Sequence, residues 1–94
     1  MEWPLYVYFN GRHLHYKAEL FYESDQIQRI RVSGRNKALV FQNNQPLLLG
    51  KGLKNKRVHW SLIEGTISNA YILSKIIDEL DRFIKKKARD EFKL

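Results

Sequence analysis

Hydrophobic and polar residues alternate along the first quarter of the chain. In residues 3–9 and 12–22 the apolar side chains recur at every second position, which is the period of a β-strand with one buried face. Asn10-Gly11 lies between the two runs, and this dipeptide is the preferred centre of a two-residue type I′ turn. The pattern therefore predicts a β-hairpin that turns at Asn10-Gly11.

A two-residue turn fixes which residues of the hairpin face each other. Tyr6 then lies opposite His15 and Tyr8 opposite His13 on the polar face, because side chains alternate along a strand. The apolar face of the first strand holds Leu5 and Val7. The second strand is expected to continue that apolar face through Leu14, Tyr16, Ala18, Leu20 and Tyr22.

Further runs of β-branched and aromatic residues, separated by turn residues, predict the rest of a sheet. The predicted strands are residues 27–33, 37–42 and 58–63, with a short apolar strand at residues 47–49 after the turn at 43–46. In the strand 27–33, Ile30 and Val32 are expected to point inward and Arg29 and Arg31 outward.

The period changes after Gly65. Apolar residues then recur at i, i+3, i+4 and i+7, as on one face of a helix. They are Leu73, Ile76, Ile77, Leu80, Phe83 and Ile84. Thr66 or Ser68 is the expected N-cap of this helix, because hydroxyl side chains accept hydrogen bonds from the first free N–H groups.

Strands followed by one helix predict an α+β fold. The 94 residues are expected to form a single domain (1–94), in which residues 1–63 form the sheet and residues 66–92 the helix. The predicted architecture is one antiparallel meander of four to five strands, which starts with the Asn-Gly hairpin. One face of this sheet is expected to be covered by the long C-terminal helix.

Composition narrows the functional classes. There are 17 Lys and Arg against 10 Asp and Glu, a formal net charge of +7, and no cysteine, so disulfides and thiol chemistry are excluded. No apolar run approaches the roughly 20 residues of a membrane helix, and the N-terminus does not have the pattern of a signal peptide. A cytoplasmic location without membrane association is therefore expected.

The polar residues contain no complete catalytic or cofactor motif. His13, His15 and His59 have the parity to share one face, but the sequence places no third ligand beside the first two, and a zinc site needs convergent ligands. Gly50-Lys51-Gly52 lacks the continuation of a phosphate-binding loop. No facing carboxylates or nucleophile–base pair is evident. The expectation is a protein without enzymatic activity, metal, cofactor or small-molecule substrate.

Positive charge and exposed aromatic residues suggest a binding function instead. Residues 48–65 hold the densest basic segment, made of Lys51, Lys54, Lys56 and Arg57. Tyr6 and Tyr8, with Arg29 and Arg31 beyond them, would place rings among cations on the outward sheet face, a layout in which bases stack while cations contact phosphates. These eight residues are the candidate site of a low-specificity module for an anionic partner such as nucleic acid.

Two alternatives remain open from sequence. The charge excess could serve solubility alone. The outward face, with Tyr6, Tyr8 and Phe21, could instead mediate protein–protein contact or homodimerisation, either through the face or through an edge strand.

Overall fold

The computed structural model describes residues 1–53 and 55–91, and it describes side chains only as far as residue 88. The elements are β1 (Glu2–Phe9), β2 (Arg12–Glu23), β3 (Gln28–Ser33), β4 (Ala38–Asn43), α1 (Gln45–Gly50), β5 (Trp60–Glu64) and α2 (Ala70–Glu91). The strands form one antiparallel sheet of five in the order β1-β2-β3-β4-β5. The predicted α+β class, with one antiparallel sheet and a C-terminal helix, is confirmed. No helix among the described residues is long and apolar enough to cross a membrane.

The chain divides into two compact units that share the first hairpin. One unit comprises Met1–Pro4 and Tyr16–Thr66, and the other comprises Leu5–His15 and the chain from Ile67 onward. We call them the meander unit and the hairpin–helix unit and describe each separately.

In the meander unit, alternate side chains of β3 are buried, whereas Leu39, Val40 and Phe41 of β4 are all buried. Ile30 lies opposite Phe41 and Val32 opposite Leu39 in the antiparallel register, and all four are almost completely excluded from solvent. Arg29 and Arg31 take the other face, as the alternation of β3 predicted.

A β-bulge in β2 corrects the prediction for Tyr22. Leu20 pairs with Ile30 but Tyr22 pairs with Arg29, so Phe21 is the extra residue on its strand. The bulge shifts the alternation by one, and Tyr22, predicted to point inward, is 46% exposed. A strict period of two cannot reveal such an insertion.

Residues 47–49, predicted as a strand, instead lie in the helix α1 (Gln45–Gly50). Pro46 stands in its first turn, where a missing N–H costs nothing. The side-chain oxygen of Asn43 accepts the Gln45 N–H at 2.9 Å. The short apolar run was compatible with a strand and with a helix. Pro46 and the Asn43 side chain favour the helix because both stabilise its first turn.

The segment after α1 is a helix C-terminus. Gly52 has a φ of +69°, and its N–H donates to the Leu49 carbonyl at 3.1 Å. The N–H of Leu53 donates to the Leu48 carbonyl at 2.8 Å. This pair of bonds is a Schellman motif. The motif requires a residue with positive φ, so the end of the helix accounts for Gly52 and a phosphate-binding role is not needed to explain it.

The strand β5 begins at Trp60 and ends before Gly65. Its start is two residues later than predicted, and His59 therefore precedes the strand. Gly65 has a φ of +86°, and a Cβ there would lie 2.6 Å from the Ala38 carbonyl oxygen. Only glycine fits this conformation and this close approach.

The hairpin–helix unit contains the predicted turn. Asn10 and Gly11 have φ values of 52° and 74°, as a type I′ turn requires. The ring centroids of Tyr6 and His15 lie 4.9 Å apart, and those of Tyr8 and His13 lie 5.1 Å apart. The predicted register of the hairpin is therefore confirmed.

The helix α2 of this unit starts at Ala70, later than predicted. The cap is Asn69 rather than Thr66 or Ser68, because its side-chain oxygen accepts the Ile72 N–H at 3.0 Å. Residues 66–69 remain outside the helix. The buried stripe of the unit consists of Ile76, Leu80 and Ile84 from α2 and Leu5 and Val7 from β1.

Candidate nucleic-acid interface

Tyr6 and Tyr8 form the most exposed part of the predicted site. Their residues are 51% and 57% exposed, and they lie on the same face of β1, roughly 6.8 Å apart along the strand. His15 contacts the Tyr6 ring at an interplanar angle of 88°, and His13 contacts the Tyr8 ring at 61°. Each imidazole thus supports a tyrosine ring, and much of each tyrosine remains open to solvent.

A groove of about 300 Å³ lies beside these rings. It is lined by Tyr6, Val7, Tyr8, His13, Tyr71, Lys75 and Glu79. The Nζ of Lys75 lies 5.4 Å from the centre of the Tyr71 ring. The centres of the Tyr71 and Phe9 rings lie 5.7 Å apart. The groove therefore combines exposed aromatic rings with one cation and one carboxylate.

Sequence reasoning missed Tyr71 and Lys75. Together with Glu79 they recur at i, i+4 and i+8, which places them on one side of α2. The sequence therefore shows that the three residues share one side of the helix, but nothing in it indicates that this side borders β1.

Arg29 and Arg31 already have partners within the meander unit. Arg31 forms an ion pair with Glu19 at 2.9 Å, and its guanidinium lies 4.4 Å from the centre of the Phe21 ring. The Nε of Arg29 donates to the Gln42 side chain at 3.0 Å. The Arg29 guanidinium also lies 5.2 Å from the centre of the Tyr22 ring. The rings that these arginines contact are therefore Phe21 and Tyr22, whereas Tyr6 and Tyr8 belong to the other unit.

The basic loop after α1 presents its cations to solvent. Lys51, Lys56 and Arg57 are exposed, and no described carboxylate forms an ion pair with them. Lys54, the fourth predicted residue, lies outside the described residues. The loop is held by the bond from the Lys56 N–H to the Leu53 carbonyl, 3.1 Å.

A second bond fixes the end of this loop. The His59 N–H donates to the Asn44 side-chain oxygen at 2.8 Å. The His59 ring faces Ser61, with Nε2 and Oγ 3.4 Å apart. Among the described side chains, those of residues 1–53 and 55–88, no group of three or more His, Cys, Asp or Glu could hold a metal ion.

No protein-family model, curated protein sequence or solved structure matches the chain.

Proposed function

We propose that the protein binds single-stranded nucleic acid with little sequence specificity and without catalysing a reaction. The observation that carries this proposal is the pair of half-exposed rings, Tyr6 and Tyr8, each supported by a histidine on the neighbouring strand. Flat rings on an open sheet face stack with unpaired bases of any identity, because every base has a π-face.

Ring stacking is expected to make the affinity for single strands higher than the affinity for duplexes. Each base that stacks on an aromatic ring contributes about 1–3 kcal/mol. The spacing of Tyr6 and Tyr8, roughly 6.8 Å, is about twice the 3.4 Å rise per nucleotide of a duplex strand. An extended single strand meets both rings more easily than a stacked duplex does.

Cations supply the part of the affinity that depends on salt. Lys51, Lys56 and Arg57 form no ion pair with a described carboxylate, so contact with phosphate breaks none of the described ion pairs. Neutralising phosphates releases condensed counterions, and affinity then falls as salt rises. With no base-reading constellation, we expect a dissociation constant of about 10⁻⁶–10⁻⁴ M at physiological salt.

Titration of labelled single-stranded and duplex oligonucleotides, read by fluorescence anisotropy at two salt concentrations, tests the proposal. The double variant Tyr6→Ala/Tyr8→Ala should weaken single-strand binding by about thirtyfold or more and duplex binding much less. Tyr22→Ala removes a tyrosine that is 46% exposed and that contacts Arg29, and it should leave both affinities unchanged.

A matched charge reversal separates local phosphate contact from net charge. Lys56→Glu/Arg57→Glu should abolish binding and flatten the salt dependence. Arg35→Glu/Lys37→Glu makes the same change in net charge at two exposed residues, and binding should largely persist. Equal losses in both variants, or no binding by the wild type at low salt, would refute the proposal.

The alternative function is protein–protein association through exposed apolar side chains. It is supported by the exposure of Tyr6, Tyr8 and Tyr71 around one groove. Salt distinguishes the two functions, because association through apolar surface tolerates or gains from high salt while phosphate contact does not.

A further inference from the structure

One edge of the sheet is open at β1. In the order β1-β2-β3-β4-β5 the strand β1 stands at an end, so no described strand borders its outer side. A two-residue type I′ turn makes Phe9 and Arg12 a hydrogen-bonded pair, and pairs then alternate along the hairpin. Tyr6 and Tyr8 consequently lie in non-hydrogen-bonded pairs. Their N–H and C=O groups point away from β2, towards the open edge.

The open edge coincides with the groove. Tyr6, Val7 and Tyr8 line it from the strand, and Lys75 and Glu79 line it from α2. Glu79 is held by an ion pair with Arg82 at 2.8 Å, which leaves a carboxylate in a defined position beside the edge. Unpaired backbone N–H and C=O groups on an edge strand can bind another strand, and charged side chains beside them can select that strand.

We infer that a second copy of this chain occupies this edge, with the two β1 strands antiparallel about a two-fold axis at Val7. Tyr6 of each copy then exchanges its N–H and C=O bonds with Tyr8 of the other. Four hydrogen bonds form, and the sheet continues from one copy into the next.

The charges beside the edge are self-complementary under such an axis. The two α2 helices run antiparallel to each other, so Lys75 of each copy can face Glu79 of the other. The same pair of ions is therefore made twice, as an isologous interface requires. On the opposite face, Tyr6 and Tyr8 become direct cross-strand neighbours, an arrangement that stabilises paired strands.

Pro4 favours this short pairing over a longer one with an unrelated peptide. Position 4 has the same parity as Tyr6 and Tyr8, so its nitrogen lies on the open edge, where it has no proton to donate. A strand that extended beyond Tyr6 towards residue 2 would lose a bond there. Pairing centred on Val7 uses only Tyr6 and Tyr8.

Sedimentation equilibrium from about 1 μM to 1 mM, without nucleic acid, tests the inference. We expect a reversible dimer with a dissociation constant within that range, because a two-strand interface is small. Tyr6→Pro removes two of the four hydrogen bonds and should weaken the dimer about tenfold or more. Tyr6→Ala keeps the N–H and should weaken it less.

Charge exchange provides a second test that leaves the strands unchanged. Lys75→Glu and Glu79→Lys should each weaken the dimer about tenfold, because like charges then meet twice across the axis. The double variant Lys75→Glu/Glu79→Lys restores opposite charges and should recover the wild-type constant within about threefold.

A wild type that stays monomeric to 1 mM would overturn the inference, and so would a dimer that none of these variants weakens. Circular dichroism establishes that each variant is folded. The sedimentation experiment contains no nucleic acid, so it tests the dimer separately from the proposed function. A protein that is monomeric there but binds oligonucleotide in the titration would reject the dimer and not the proposed function.

Discussion

Leu80→Ala tests the packing of α2. Leu80 is 0% exposed, and the substitution removes three carbon groups, each contributing about 0.8 kcal/mol when buried. Its neighbours along the buried stripe, Ile76 and Ile84, are also excluded from solvent, so the cavity has few ways to close. Adding the cavity term places the expected loss of unfolding free energy at about 3–5 kcal/mol.

Urea denaturation followed by circular dichroism at 222 nm would measure this loss, and the melting temperature should fall by at least about 12 °C. Leu53→Ala makes the same chemical change in the loop, where the residue is 39% exposed, and should cost no more than about 1 kcal/mol. A loss below about 1 kcal/mol at Leu80, with an unchanged denaturant slope, would refute the packing described for the hairpin–helix unit.

Three further stability predictions follow from local contacts. Asn69→Ala should lower the free energy of unfolding, measured by chemical denaturation, by about 1 kcal/mol because it removes the α2 cap. Ser68→Ala should leave it unchanged, and the opposite result would assign the cap to Ser68. Asn43→Ala should cost about 2–4 kcal/mol, since it leaves the Gln45 N–H and the Gln28 side-chain oxygen without the bonds that Asn43 makes to them; a neutral result would contradict the buried network. Gly65→Ala should lower the melting temperature through about 1–3 kcal/mol of strain, and equal stability would show that the positive φ is absent.

The first hairpin and the stripe of α2 were predictable because local chemistry and pattern agree there. Asn10-Gly11 specifies a turn, the turn specifies the register, and the register divides apolar from polar side chains. The helical period of 3.6 likewise places Ile76, Leu80 and Ile84 on one apolar face, and these three residues are buried in the structure.

Two of the corrected elements, the end of β2 and the helix α1, have local causes that the hydrophobic period does not contain. Phe21 is inserted as a bulge, which reverses the orientation of Tyr22. Pro46 and the Asn43 side chain start a helix where the apolar run 47–49 also fitted a strand. Such choices depend on hydrogen bonds to distant parts of the chain, for example from Asn43 to Gln28.

The candidate site was predictable only in its parts. Exposure of Tyr6 and Tyr8 followed from strand parity. The ion pair of Arg31 with Glu19 depends on the pairing of β2 with β3, which the sequence indicated only as neighbouring strands. The groove beside Tyr71 and Lys75 requires the placement of a helix far downstream of β1 in the chain, and no local pattern contains that information.

The order of the strands also has a consequence for the rate of folding. Each strand pairs with its neighbour in sequence, and turns of two to four residues join the first four strands. Such short loop closures are fast, and sequence-local topologies fold rapidly. Only β5 must close a longer loop, because residues 44–59 separate it from β4. We therefore expect the first four strands to form the folding nucleus and β5 to join after the rate-limiting step, so that substitutions in β5 accelerate unfolding and leave the folding rate unchanged.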